Sequence, residues 1–79
     1  MDVRTANEFA TGHAKNAINI SVDLLVKNLA KLKNKNQPIF TCCASGKRSA
    51  IAKRILISRG YTEVFNGGTW KEINQFTNN

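Results

Sequence analysis

The stretch PIFTCCASGKRSAIAKRIL, residues 38–56, limits the fold of this chain more than any other part of it. The run Ile-Phe-Thr-Cys over 39–42 has the composition of a buried strand. Pro38 fits only at its start, where no ladder hydrogen bond is lost. From Ser49 to Ser58 the apolar residues Ile51, Ala52, Ile55 and Leu56 recur at helical spacing, and Gly60 supplies the stop. Only a short run of small and basic residues separates the two. A strand that turns through a tight loop into a helix is half of a βαβ unit, so its sheet is expected to be parallel.

The flanking segments repeat that alternation. Met1 to Val3 reads as the tail of a strand, and TANEFA as a helical turn with Thr5 as N-cap and Glu8 completing a capping box. Gly12 ends the turn. NAINIS alternates like a short strand. Asp23 to Lys33 sets Leu24, Leu25, Asn28, Leu29 and Leu32 at helical spacing. NKNQP is a turn, TEVFN another strand, and GG a turn. TWKEINQF is a closing helix with Trp70, Ile73 and Phe76 on one stripe. The expected fold is α/β: one domain over residues 1–79, a small parallel sheet with helices on both faces. Ligands in such sheets bind at the carboxyl ends of strands, beside helix N-termini, and CCASGKRS falls there.

Composition narrows the classes of function. A 79-residue chain buries only about 60–65% of the surface its unfolded form exposes, so its stability is expected to be modest. No apolar run approaches the roughly 20 residues of a membrane helix, and MDVRTANEF has no signal-peptide pattern. A cytoplasmic protein without a membrane partner is the expectation. Adjacent cysteines in an extended segment point to opposite faces, so Cys42 and Cys43 do not suit a disulfide. With His13 as the single histidine, Cys and His cannot assemble a four-ligand metal site. The formal charge of +7, from 12 Lys and Arg against 5 Asp and Glu, favours anionic partners. Lys27, Lys31, Lys33 and Lys35 read as a solvated face. The aromatic interleaving of single-strand platforms is missing, so nucleic acid is not the expected partner.

The loop itself has chemical meaning. Successive N–H groups in a tight small-residue turn can converge on an anion, helped by the first amides of the following helix and its dipole. Gly46 permits the curl, and Lys47 and Arg48 add formal charge at the rim. A thiol placed there ionises more readily. At pH 7 a cysteine of pKa near 8.5 is only ~3% thiolate, whereas one of ~6.5 is roughly 75%. Cys43 ends the strand and opens the loop, while Cys42 lies one step back inside the strand.

Taken together, the motifs resemble the rhodanese-like domain family, in its single-domain sulfurtransferase form. DVRTANEFATGHAKNAINIS is similar to the family's opening signature, CASGKRS to its Cys-x-x-Gly-x-Arg loop, and GYTEVFNGGTW to its closing signature. Nearly the whole chain is covered. The resemblance implies that Cys43 takes a sulfane sulfur from thiosulfate or another persulfide donor and carries it as a persulfide. It implies that Ala44, Ser45, Gly46, Lys47 and Arg48 cradle that sulfur, and that Ser49 lines the pocket or caps the helix. The acceptor would be cyanide or a thiol, such as a thioredoxin-like protein, and no cofactor is needed. Asp2, Arg4, His13 and Trp70 are expected to hold the scaffold.

Two features depart from the family. Its domains carry a further strand and helix ahead of the Asp-Val-Arg segment. A first strand shortened to Met1–Val3 is expected to leave an apolar edge and a monomer or weak dimer. Cys42 is the second departure. Counted from it, Arg48 completes a Cys-x5-Arg register that looks like the loop of protein tyrosine phosphatases and arsenate reductases. Thr41 stands where phosphatases carry His, and the chain-wide signatures align on Cys43. A rhodanese-like binding module without turnover is the remaining alternative.

Overall fold

A computed structural model describes residues 1–77. The strand of the opening stretch, β1, spans Ile39–Cys43 and pairs in parallel with β2, Val64–Thr69. On the other side of β1 the chain start contributes a single-residue rung. Asp2 bridges Cys42 and, across from it, Asn19, both in parallel. The Val3 amide donates to the Cys42 carbonyl at 2.9 Å, and the Cys42 amide to the Met1 carbonyl at 2.9 Å. The sheet is thus parallel throughout, with Asn19, Asp2, β1 and β2 in that order. The strands expected at Met1–Val3 and NAINIS are reduced to these two bridges.

Helix α1, Ala6–Ala10, has the capping box expected of Thr5 and Glu8. Helix α2, Lys47–Ser58, begins two residues earlier than its apolar pattern indicated, because Gly46 at φ 91° ends the loop and starts the helix. Its inward residues are Ser49, Ala52 and Leu56, and Ile51 is instead half exposed. Helix α3, Trp70–Thr77, follows β2 without a break, and the Glu72 amide donates to the capping Thr69 hydroxyl at 3.2 Å.

The segment expected as one helix over 23–33 forms two short 3₁₀ turns, Val22–Leu24 and Val26–Lys31. Competing donors explain the change. The Asn28 side-chain amide donates to the Leu24 carbonyl at 2.8 Å, taking the acceptor that an α-helix would give to the Asn28 backbone. Farther along, the Tyr61 hydroxyl donates to the Leu32 carbonyl at 2.5 Å and lies 3.3 Å from that of Leu29. Leu25 still reaches the core and Leu24 faces out.

The core lies between the sheet and α2, where Val3, Ile20, Leu25, Cys43, Ala52, Leu56, Tyr61 and Val64 pack together. The opposite face carries the Phe40–Phe65 ring stack, with centroids 5.1 Å apart, beside Ile73 and Phe76 of α3. Helices therefore flank both faces, although Phe40, Phe65 and Phe76 remain largely exposed.

The paired glycines form part of β2 rather than a turn. Thr41 is in register with Asn66, but Cys43 with Thr69, so β2 carries one extra residue opposite the end of β1. Gly68, at φ 81°, accommodates that bulge. Gly67 lies so close to α3 that a Cβ there would stand 2.4 Å from Ile73 Cδ1 and 3.0 Å from the Thr41 carbonyl oxygen. The bulge and the close helix bring the carboxyl ends of both strands to the loop after Cys43.

Candidate active site

Cys43 is the last residue of β1, and its side chain is fully covered. The loop over 44–46 curls back over it. The Gly46 amide donates to Sγ at 2.9 Å, and the Ser49 amide, in the first turn of α2, at 3.4 Å. The thiol reaches the Ser49 hydroxyl at 3.6 Å. That hydroxyl has Asn66 Oδ1 at 2.6 Å and the Gly46 carbonyl at 3.0 Å as its acceptors. Asn66 also donates to the Gly46 carbonyl at 3.2 Å and accepts from the Gly68 amide at 2.9 Å. The loop is thereby tied to the bulge of β2.

These contacts set the thiol's acidity. Burial opposes ionisation of Cys43, but hydrogen bonds from the Ser49 hydroxyl and amide and from the Ser45 and Gly46 amides outweigh it. The thiol is brought down from 9.0 to about 7. Around half of it is thiolate at neutral pH. As it ionises, the Ser49 hydroxyl can turn its proton from Asn66 to the sulfur. Cys42 behaves in the opposite way. Burial, then the Asp2 carboxylate, pushes its thiol up. Among the described residues, the amides of the loop and of the first turn of α2 that reach a sulfur reach that of Cys43, so the loop is built around Cys43.

The basic residues are arranged unequally. Lys47 is exposed and has no ion-pair partner among the described residues. Arg48 is held by Glu8, with Nη1 to Oε1 at 2.5 Å and Nη2 to Oε2 at 2.9 Å. The same carboxylate accepts from the Thr5 amide at 3.1 Å and the Thr5 hydroxyl at 3.2 Å. With the Arg48 hydrogen bond as the largest cause, its pKa falls to about 2. Ala44 and Ser45 are exposed at the outer turn of the loop.

Asp2 and Arg4 hold this assembly from below. Asp2 is completely buried and receives the Arg4 Nη2 at 2.7 Å and Nε at 3.0 and 3.1 Å. Arg4 goes on to the Gly12 carbonyl at 2.6 Å and the Glu8 carbonyl at 3.3 Å, and its guanidinium lies 4.8 Å from the Trp70 ring centre. The pair therefore ties the middle of α1, at Glu8, and the turn after it, at Gly12, to the chain start. His13 stacks on Phe9 with centroids 3.7 Å apart, its Nδ1 2.8 Å from the Phe9 carbonyl. That contact requires Nδ1 to carry a proton and places the ring against Phe9 of α1.

The site is thus a strand ending in a covered, acidified cysteine, followed by an amide-lined loop and a helix. The family model for the rhodanese-like domain matches residues 1–73. The chain belongs to the rhodanese-like domain family.

Among curated relatives of this rhodanese-like chain, the Escherichia coli protein named thiosulfate sulfurtransferase PspE is 35% identical over 74 residues, covering 92% of this chain and 71% of the relative. The Vibrio cholerae protein named thiosulfate sulfurtransferase GlpE is 30% identical over 78 residues, covering 94% and 73%. In a Raphanus sativus senescence-associated protein, DIN1, the match is 36% over 75 residues but takes up only 41% of the relative. A solved structure of an E. coli rhodanese with anions superposes with a TM-score of 0.81 at 33% identity, over 90% of this chain and 85% of that one.

Sequence reasoning found Cys43, Gly46 and Ser49 as neighbours because they lie close together in the chain, at the strand end, in the loop and in the first turn of the helix. It missed Asn66 as a brace and Glu8 as the partner of Arg48. Asn66 stands directly before the paired glycines, a signal that could have placed it at the loop. Glu8 was already engaged in the capping box, and nothing local to it pointed to a residue 40 positions away.

Proposed function

We propose that this rhodanese-like domain is a sulfurtransferase with Cys43 as its sulfur carrier. In the first step the Cys43 thiolate attacks the outer sulfur of thiosulfate. A new S–S bond forms, the old one breaks, and sulfite leaves with the bonding pair, so the negative charge passes to the persulfide. In the second step cyanide takes the outer sulfur as thiocyanate, or a thiolate takes it as a new persulfide, and the Cys43 thiolate returns. The amides of Ser45, Gly46 and Ser49 supply hydrogen bonds where the anionic sulfur rests, and Lys47 at the rim favours approach of an anion.

The observation that carries this reading is the Cys43 thiol at about 7 within hydrogen-bonding reach of the Gly46 and Ser49 amides. The relatives named thiosulfate sulfurtransferase support it. The test is intact-mass and peptide mapping of the reduced protein after brief exposure to thiosulfate. One added sulfur atom on Cys43, removed by cyanide, is the expected result. No added sulfur, or sulfur on Cys42, overturns it.

Because Cys43 is fully covered, a second reading has an observation in its favour: a rhodanese-like module that takes up one sulfur and does not turn over. Stoichiometric loading without repeated thiocyanate formation would select it.

A further inference from the structure

We propose that Glu8 sets the donor selectivity of the Cys43 site by masking Arg48. An oxyanion donor such as thiosulfate must win the guanidinium from Glu8, while a donor without an anionic head group need not. The inference rests on the sulfurtransfer reading of Cys43 and adds to it a residue on a different element.

The geometry is that of a competitive mask. Both terminal nitrogens of Arg48 face the two oxygens of Glu8, which is the two-pronged contact a sulfonate or sulfate group would make. Arg48 is the second residue of α2, two positions after the Gly46 amide that holds the sulfur, and its charge interacts with that of Cys43. The side chains are 33% and 36% exposed, so an anion from solvent can reach the pair. Glu8 is itself held by Thr5 through two further hydrogen bonds, so the carboxylate stays in place if the guanidinium turns away. Lys47 carries no such mask.

Glu8→Gln separates charge from structure. Glutamine keeps the reach-back contact of a capping box and loses the negative charge. The test measures alkylation of Cys43 in the full chain by iodoacetate, an anion, and by iodoacetamide, which is neutral. The ratio of the two rates cancels differences in loop opening and thiol acidity. The ratio is expected to rise several-fold in Glu8→Gln and to fall back toward the parent value as salt is added. Half-saturating thiosulfate for loading should fall by a similar factor, and sulfate should inhibit more strongly. In an Arg48→Met background, Glu8→Gln should leave the ratio unchanged. An equal ratio in the parent and Glu8→Gln overturns the proposal, as does a rise that persists without Arg48. A raised ratio in a protein that takes no sulfur from thiosulfate would support the mask and sink the sulfurtransfer reading.

Discussion

The amide of Gly46 points at the sulfur of Cys43 from 2.9 Å, although the two residues are only three apart in the chain. That closure needs Gly46 at φ 91°, and it turns the end of a strand into a socket for a negatively charged sulfur. The adjacent cysteine, one residue back, has its thiol pushed up by burial and then by the Asp2 carboxylate.

The two thiols should therefore separate cleanly. Cys43→Ser is expected to abolish sulfur uptake, and Cys42→Ser to retain most of it, while lowering the melting temperature by placing a hydroxyl at a buried position. Mass mapping after thiosulfate treatment, together with a thermal melt of each variant, checks both parts.

The acidity of Cys43 gives a pH dependence of known sign. Alkylation by iodoacetamide should rise with pH around a midpoint of about 7. Because the folded pKa lies below the unfolded one, ionisation stabilises the fold above the unfolded value, and that contribution is lost as pH falls through about 7. Urea midpoints of the parent protein relative to Cys43→Ser should accordingly climb between pH 7 and 9. Ser49→Ala removes the hydroxyl's hydrogen bond and should move the alkylation midpoint upward.

The scaffold pair predicts a loss of stability. Arg4→Met leaves Asp2 charged and completely buried without its guanidinium. Removing one partner of a buried pair costs about 3–5 kcal/mol. The expected readout is a large drop in the urea midpoint, accompanied by exposure of Trp70 fluorescence to solvent as the guanidinium leaves its ring.

How much of this was legible depended on the distance between partners along the chain. The Thr5–Glu8 capping box and the loop around Cys43 were readable because their contacts span three to six residues. The Arg48–Glu8 pair spans 40 and the Ser49–Asn66 contact 17, and periodicity carries no information at those separations. The segment 23–33 has the spacing of a helix, yet the Asn28 side chain and the Tyr61 hydroxyl reach the Leu24 and Leu29 carbonyls that an α-helix would use. Gly67 and Gly68 look like a turn in one dimension. Their real cause, a bulge beneath a closely packed helix, exists only in three dimensions.

Gly67 and Ile73 share a single volume across β2 and α3, so neither residue's size is an independent choice. Gly67→Ala alone should destabilise the protein by about 1–3 kcal/mol through overpacking. Ile73→Ala alone should destabilise it through the space left behind. Together they should cost less than the sum, as a methyl group moves from one element to the other. Denaturation of the two single variants and the double variant measures that coupling. This chain can exchange bulk between the sheet and its last helix only by changing both positions together.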